Sequence, residues 1–442
     1  MMSDWTYEES IRWLDAKDIF HTRLGLERIN GLLENMDLKD NRVTGHVAGT
    51  NGKGSVAVFL ASILASSGYR TGLYTSPHIT DVRERLATER GLIDETTFAK
   101  GMQTVKEADP DNQCTYFETL TALFFWFQKE AGLEHTVLET GMGGRLDATN
   151  TATPRVSIVT PVALEHVKQL GSTVEDISRE KAAIIKEGVP AVISNMDNKV
   201  LKVMEERCQQ TLSPLIRADR GVDIRLISPL EKRGSRWGQI VEIVTTLGEY
   251  GEVFIPLLGS HQRMNAVTAI RAAEVLRRQG MKMSDQQIRE GITEARWSAR
   301  IQLLEHPFPI VLDVTHNPHG ARVLTNELMR LMTSMELDTT VIVVGMLEDK
   351  DIDGVLAELT RLRGTIICTS PKTPRAVGSK KLVSRARELG GSGLNVLDVP
   401  DVSEAVEKAR FLGDLVTVTG SFYTVGEGME SMGIKPEVLR GR

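Results

Sequence analysis

The segment HVAGTNGKGSVAVFL, residues 46–60, sets a glycine-rich turn between an apolar run and a helical pattern. At such a junction the free N–H groups of the first helical turn, and the positive end of the helix dipole, favour bound phosphate. Gly49, Thr50, Asn51, Gly52, Lys53, Gly54 and Ser55 make up the turn, and Lys53 would neutralise charge on the β- and γ-phosphates of a nucleotide. A turn with a solvated lysine is the competing reading. It is disfavoured because strand, glycines, lysine and helix follow one another in the order that phosphate binding requires. The loop still departs from an ordinary P-loop: Val47 stands at the first glycine position, and Gly54 replaces the hydroxyl residue that usually follows the lysine and holds Mg²⁺. A metal would therefore need ligands from elsewhere. Glu139 closes the apolar run HTVLE, where α/β sheets present ligand-binding groups; a cap on the glycine-rich turn after it is the alternative.

The elements that must position these groups alternate. Arg42 to Ala48 is β-branched, Val56 to Ser67 is helical in pattern and Thr71 to Thr75 is again extended, as in βαβ units of a doubly wound parallel sheet. His135 to Glu139, Val156 to Thr160 and Val189 to Ser194 are continuous enough in apolar residues for central strands. Ile224 to Leu258 instead alternates, with glycine and polar breaks, and is expected to add antiparallel strands at the periphery of the first domain. A helix over Arg263 to Gln279 leads to the region of Arg296 to Arg300. After it the runs PIVLDVT, TTVIVVGM, GTIICT, LNVLDV and LVTVTGS, separated by helical patterns, predict a second α/β domain.

With 442 residues the chain exceeds what one core usually serves. Its 41% hydrophobic and 25% charged residues are those of an ordinary globular protein, without a membrane-spanning run. The first residues mix acids with apolar residues and show no secretory pattern, so the cytoplasm is the expected compartment. A net charge of −6 gives no overall attraction for nucleic acid or anionic lipid. Cys114, Cys208 and Cys368 are odd in number and widely spaced, which points to buried free thiols and not to disulfides or zinc.

The loop GTNGKGS resembles that of the Mur ligase superfamily and, with glycine after the lysine, its folylpolyglutamate synthase and dihydrofolate synthase branch. TSPH at Thr75 to His78, TYFE at Thr115 to Glu118, LETGMGGRLDATN at Leu138 to Asn150 and REKAAIIK at Arg179 to Lys186 also match. HQRMNA at His261 to Ala266, DVTHNPHG at Asp313 to Gly320, GMLEDKD at Gly345 to Asp351 and TGSFYTVGE at Thr419 to Glu427 follow in the family's order. The resemblance implies an α/β fold with an N-terminal P-loop ATPase-like doubly wound domain, residues 1–296, and a smaller C-terminal Rossmann-like glutamate-ligase domain, residues 297–442.

It further implies Mg²⁺ on Ser76, Glu139 and His166, with K⁺ a further candidate, and ATP contacts from Asn265, Arg300 and Asp313 beside the phosphate loop. Taken alone, His166 reads as a loop histidine, Ser76 as a turn residue, Arg300 as a surface charge and Asp313 as an N-cap for the helix starting near Gly320. Lys181, which sequence alone makes a solvated charge, is implied to be carbamylated and to act with Lys53 and His166 in catalysis. The pterin substrate is implied to contact Thr22, Arg23, Leu24, Thr115, Tyr116, Phe117, Glu118, Arg145, Leu146 and Asp147, and glutamate to contact Arg85, His316 and Ser421.

The implied reaction is ATP-dependent addition of L-glutamate to a pterin carboxylate through an acyl phosphate, making dihydrofolate from dihydropteroate, lengthening the tail of tetrahydrofolate, or both. Partners are small molecules, and a monomer is expected. The sequence departs from the family pattern in three places. An Asp-His-Thr-Asp run becomes Glu165, His166, Val167, Lys168 and Gln169; Trp-Pro-Gly-Arg becomes Trp297, Ser298, Ala299 and Arg300; and Thr315 replaces an alanine. The first leaves open a Mur-type ligase for another acceptor, or a nucleotide-binding relative without turnover.

Overall fold

The structure is a computed structural model that describes residues 5–17, 23–38, 42–362 and 364–439. Eight strands form the first sheet: β1 (Arg42–Ala48), β2 (Thr71–Tyr74), β3 (Leu86–Thr88), β4 (Gly91–Leu92), β5 (His135–Glu139), β6 (Thr153–Val159), β7 (Ala191–Ile193) and β8 (Leu215–Arg217), in the order β4-β3-β2-β5-β1-β6-β7-β8. All neighbours pair in parallel except β2 with β3 and β3 with β4. Residues 43–48 of β1 are buried, as a strand flanked on both sides and covered on both faces must be.

One face carries the helices Lys53–Ser66, Ser260–Arg278 and Asp285–Glu294, and the other the helices Glu95–Ala108 and Tyr116–Glu130. The Lys53–Ser66 helix is buried from Gly54 to Leu64, so it is apolar all round and carries no amphipathic stripe.

A three-stranded antiparallel sheet follows, from β9 (Val222–Arg233), β10 (Arg236–Thr245) and β11 (Gly248–Ile255). The expectation of a peripheral appendage fails. Val241, Ile243, Tyr250, Val253 and Ile255 are buried in the same core as the Lys53–Ser66 helix, while Leu230 and Trp237 pack against the core of the second sheet. The alternation of these strands arises because one face supplies core.

The second sheet has β12 (Gln302–Leu304), β13 (Ile310–Leu312), β14 (Thr340–Val344), β15 (Thr365–Cys368), β16 (Asn395–Asp398) and β17 (Leu415–Thr419), ordered β12-β13-β17-β14-β15-β16 and parallel apart from β12. Together the sheets give a mixed α/β architecture with a parallel core in each half. The three cysteines are buried free thiols. Among the described residues no helix is long and apolar enough to cross a membrane.

Candidate active site

The carboxyl ends of β1, β2, β5, β6, β13, β14 and β17 face one region, the place where parallel sheets leave backbone and side chains free for ligands. Two cavities occupy it, of about 500 and 450 Å³. Ser76, Pro77, Gly141, His166, His316 and Phe422 line both, so the cavities share a wall.

Thr50 to Ser55 line the larger cavity. Thr50 ties the loop down: its N–H donates to Pro161 O at 2.9 Å, and its hydroxyl meets Ala163 O at 3.1 Å and Ala163 N at 3.0 Å. Gly52 caps the helix with φ of +88°, a conformation that costs an L side chain about 1–2 kcal/mol. The Lys53 Nζ folds back on Thr50 O at 3.2 Å. Gly49 lies behind the loop and gives its carbonyl to Lys181. The glycine at 54 has a steric cause that the sequence does not show. A β-carbon there would come within 2.7 Å of the Trp297 ring and 3.3 Å of Glu139 Oε2. A hydroxyl residue at this position would collide with the group that closes the floor of the loop. Gly54→Thr is expected to lose about 1–3 kcal/mol of stability in denaturant unfolding through this overpacking; unchanged unfolding would show that Trp297 swings clear.

Glu139 ends β5 with 5% of its surface exposed and, among the described residues, accepts a single hydrogen bond, from Ser76 N at 3.2 Å. Burial raises its pKa, opposed by the Lys53 charge. A buried carboxylate so lightly bonded beside a phosphate loop suits a cation. Ser76 supplies a hydroxyl on the same wall, and desolvation keeps the imidazole of His166 below its ordinary pKa, in the neutral form that ligates metals. Among the described residues no cluster of three or more His, Cys, Asp or Glu forms a complete metal site. Mg²⁺ is commonly held by one or two protein carboxylates, with phosphates and water as the other ligands.

Lys181 overturns the expectation of a solvated charge. It is 1% exposed, and its Nζ donates to Gly49 O at 2.6 Å and to Glu165 Oε1 at 2.9 Å. Burial lowers its pKa to about 8, although Glu165 pulls the other way. Against burial, Lys53 and Lys181 hold the Glu165 carboxyl at about 2. The signal was present in the sequence: in the Val174–Ala182 helix, Ile177, Ser178, Lys181 and Ala182 lie on one buried face. Glu165, singled out only as a departure, is the partner that reading missed.

From the second domain, Asp313 accepts from Ile301 N at 2.8 Å and from Thr315 N at 2.9 Å. It does not cap the following helix, which begins at Pro318 with Asn317 as its cap. Arg300 is no surface charge: its guanidinium lies 5.0 Å from the Trp297 ring and 5.3 Å from the Phe422 ring, inside the cavity wall. Asn265, 4% exposed, donates to Gln262 Oε1 at 3.0 Å and faces Gly52. Asn51 of the loop reaches across to Asn317 and His319, each at 3.3 Å.

The smaller cavity gathers Arg23, Leu24, Arg85, Thr115, Phe117, Glu118, Leu146, Asp147, His316 and Ser421. Two expected residues do not line it. Tyr116 turns into the core beneath the Arg85 guanidinium, and Arg145 pairs with Glu180 at 2.9 Å on the surface. Thr22 lies outside the described residues. Some of the lining also holds local structure. Thr115 and Glu118 form a capping box, Glu118 takes Arg28 at 2.9 Å, and Asp147 clamps its own loop through Met142 N at 2.8 Å. Arg85 donates to His78 Nδ1 at 3.0 Å, and Ser421 caps the Phe422–Ser431 helix. The His316 Nδ1 lies 2.9 Å from Val314 O, so it carries the proton and Nε2 is the ring's acceptor. Asp349, Lys350, Arg375 and Tyr423 also line this cavity and were not expected; the first three come from loops after β14 and β15, and Tyr423 from the first turn of the Phe422–Ser431 helix after β17.

The description of the Mur ligase middle domain matches residues 47–273, and that of the Mur ligase glutamate ligase domain matches residues 299–422. The chain is 33% identical over 429 residues to the dihydrofolate synthase/folylpolyglutamate synthase of Escherichia coli (strain K12), covering 95% of this chain and 94% of that one. Among solved structures, it is similar to Mycobacterium tuberculosis folylpolyglutamate synthase complexed with ADP and AMPPCP, with a TM-score of 0.86 and 27% identity over 98% of this chain and 99% of the other. The bifunctional folylpolyglutamate synthase/dihydrofolate synthase of Yersinia pestis, complexed with AMPPNP and Mn ion, is similar with a TM-score of 0.80 and 30% identity, covering 97% and 98%.

Proposed function

Because the chain belongs to the Mur ligase family, in its dihydrofolate synthase and folylpolyglutamate synthase branch, we propose that it is an ATP-dependent ligase that adds L-glutamate to dihydropteroate and to the tail of reduced folates. The observation that carries this reading is the shared wall of the two cavities, because phosphoryl transfer requires the nucleotide and the acceptor to meet.

A carboxylate is a poor electrophile toward an amine. In the proposed sequence a carboxylate oxygen of the acceptor attacks the γ-phosphorus, the β–γ bridging bond breaks and ADP leaves. The glutamate nitrogen then attacks the acyl carbon of the mixed anhydride, and phosphate departs with the electrons of the broken C–O bond. Lys53 and the N–H groups of its helix stabilise charge on the transferring phosphoryl. Ser76, Glu139 and His166 would hold Mg²⁺, which when bound screens the phosphate charges. Neutral His316, its pKa lowered to about 4 by burial, presents Nε2 to accept the amine proton. Arg85 and Ser421 face the glutamate, and Phe117 with Leu24 and Leu146 gives the pterin an apolar bed. Arg300, Asp313 and Asn265 close on the nucleotide from both sides of a boundary at residues 296/297, which keeps water from the mixed anhydride. The reading makes the protein a cytoplasmic monomer.

The test is ADP release by purified protein with ATP, Mg²⁺ and glutamate, comparing dihydropteroate, tetrahydrofolate and no acceptor, with a parallel arm in which Na⁺ replaces K⁺. Acceptor-dependent ADP and a product heavier by one glutamate residue are expected for both pterins. ADP bound without turnover on either acceptor would overturn it.

A further inference from the structure

The crossover between the two domains is bound by a segment distant in sequence. Residues 437–439 run antiparallel to 296–298, with Trp297 bridged to Val438. Ser298 N donates to Glu437 O at 3.2 Å, Glu437 N donates to the Ser298 hydroxyl at 2.8 Å, and Leu439 N donates to Arg296 O at 3.2 Å. Val438 and Leu439, 5% and 0% exposed, are buried in the core of the first domain, whereas Met429, Met432 and Ile434 just before them pack on the second sheet. The segment thus crosses the boundary and is anchored on both sides.

What it grips touches the nucleotide cavity. The Trp297 ring lies under Gly54, and Arg300 stacks on Trp297. The backbone here is also strained: Ala299 and Ile301 have φ of +55° and +50°. Such positions persist only where the surroundings over-determine them. Asp313 fixes Ile301, and the paired segment fixes Ser298. A proline at 298 would lack both the N–H that donates to Glu437 and the hydroxyl that accepts from it.

We propose that residues 437–439 form a positioning strap for nucleotide binding, in which Ser298 fastens the crossover so that Trp297 supports the phosphate loop and Arg300 stays in the cavity wall. This rests on the nucleotide reading of that cavity. The strap replaces, by hydrogen bonds, the stiffness that a Pro-Gly pair would give the crossover.

The experiment titrates ATP with Mg²⁺ into the full chain by calorimetry, well below the melting temperature, and compares Ser298→Ala, Ser298→Thr, Leu439→Ala and Met283→Ala. Met283 lies in the same core as Leu439 but belongs to neither 296–301 nor 437–439, so Met283→Ala matches the packing loss without touching the paired segments. Ser298→Ala and Leu439→Ala are expected to weaken ATP about tenfold, the size of effect that one or two lost hydrogen bonds can produce. Ser298→Thr, which keeps the N–H and the hydroxyl, and Met283→Ala are expected to bind as wild type does. If Leu439→Ala does not fold, Ser298→Ala against Ser298→Thr decides. Wild-type-like binding by Ser298→Ala, or equal weakening by Leu439→Ala and Met283→Ala, would overturn the strap. Failure of the wild type to bind ATP would instead overturn the nucleotide reading.

Discussion

Lys53→Ala is expected to lower kcat about 10²–10³-fold, with kcat/KM for ATP falling at least as far, in the ADP-release assay with saturating acceptor and glutamate. The argument rests on where the charge lies at each stage. Lys53 is the cation of the phosphate loop, at the N-terminus of a buried helix, and its nearest hydrogen-bond partner is a neutral carbonyl, Thr50 O at 3.2 Å. Among the described residues it forms no ion pair with a carboxylate, so its positive charge remains available to a ligand. During transfer, negative charge moves onto the β–γ bridging oxygen, and a fixed cation there stabilises the transition state more than the ground state. Loss of one such group commonly costs about 2.7–4 kcal/mol of barrier. The charge of Lys53 also acts on two carboxyls: at Glu139 it opposes the rise that burial causes, and at Glu165 it works against burial to hold the pKa down. The variant is therefore expected to bind divalent cation no more weakly than wild type, because one competing positive charge has gone. Retention of more than a tenth of wild-type kcat would show that the helix N–H groups and the metal suffice, and would remove Lys53 from the catalytic set.

The phosphate loop, the two parallel sheets and the carboxyl-edge positions of Glu139 and Asp313 were legible because each depends on local order: an apolar run, then a polar residue where the strand ends; Ser421 came from the family resemblance alone. Glu165 and Trp297 were not legible in this way. Their roles come from contacts with residues 16 and 243 positions away in the chain, Lys181 and Gly54, and no local pattern encodes such meetings. Arg145 and Tyr116 show the converse limit. A motif fixes where a segment runs, but side-chain direction within it follows packing, and here one side chain found Glu180 and the other the core. The three-stranded sheet was misplaced for a related reason, since its alternation shows that one face is buried without showing what buries it.

Lys181 yields the second large effect, because its surroundings favour the neutral amine that carbamylation needs. Burial, reinforced by the Lys53 charge, outweighs the attraction of Glu165 and leaves the pKa at about 8 in place of 10.5. At pH 7 roughly a tenth of the amine is then neutral, against fewer than about one in a thousand for a free lysine. The sign for stability follows directly. Since the folded pKa lies below the unfolded one, charging this group costs stability in full below about pH 8, and the cost fades as pH rises toward 10.5. A carbamate removes that cation and sets an anion near Glu165, whose like charge is tolerable only with a cation close by. Protein freed of CO₂ is therefore expected to lose activity, and to regain it with bicarbonate faster as pH rises from 7 to 8 and more completely with Mg²⁺ present. Lys181→Ala is expected to stay about 10–100-fold below wild type whether or not bicarbonate is added, the usual loss for a group that supports a metal site from behind its ligands. A carbamate signal from ¹³C-bicarbonate in the wild type, absent in Lys181→Ala, would place the adduct. Full activity without CO₂ would leave Lys181 as an ammonium paired with Glu165, holding Gly49 and the loop in place by its hydrogen bonds alone.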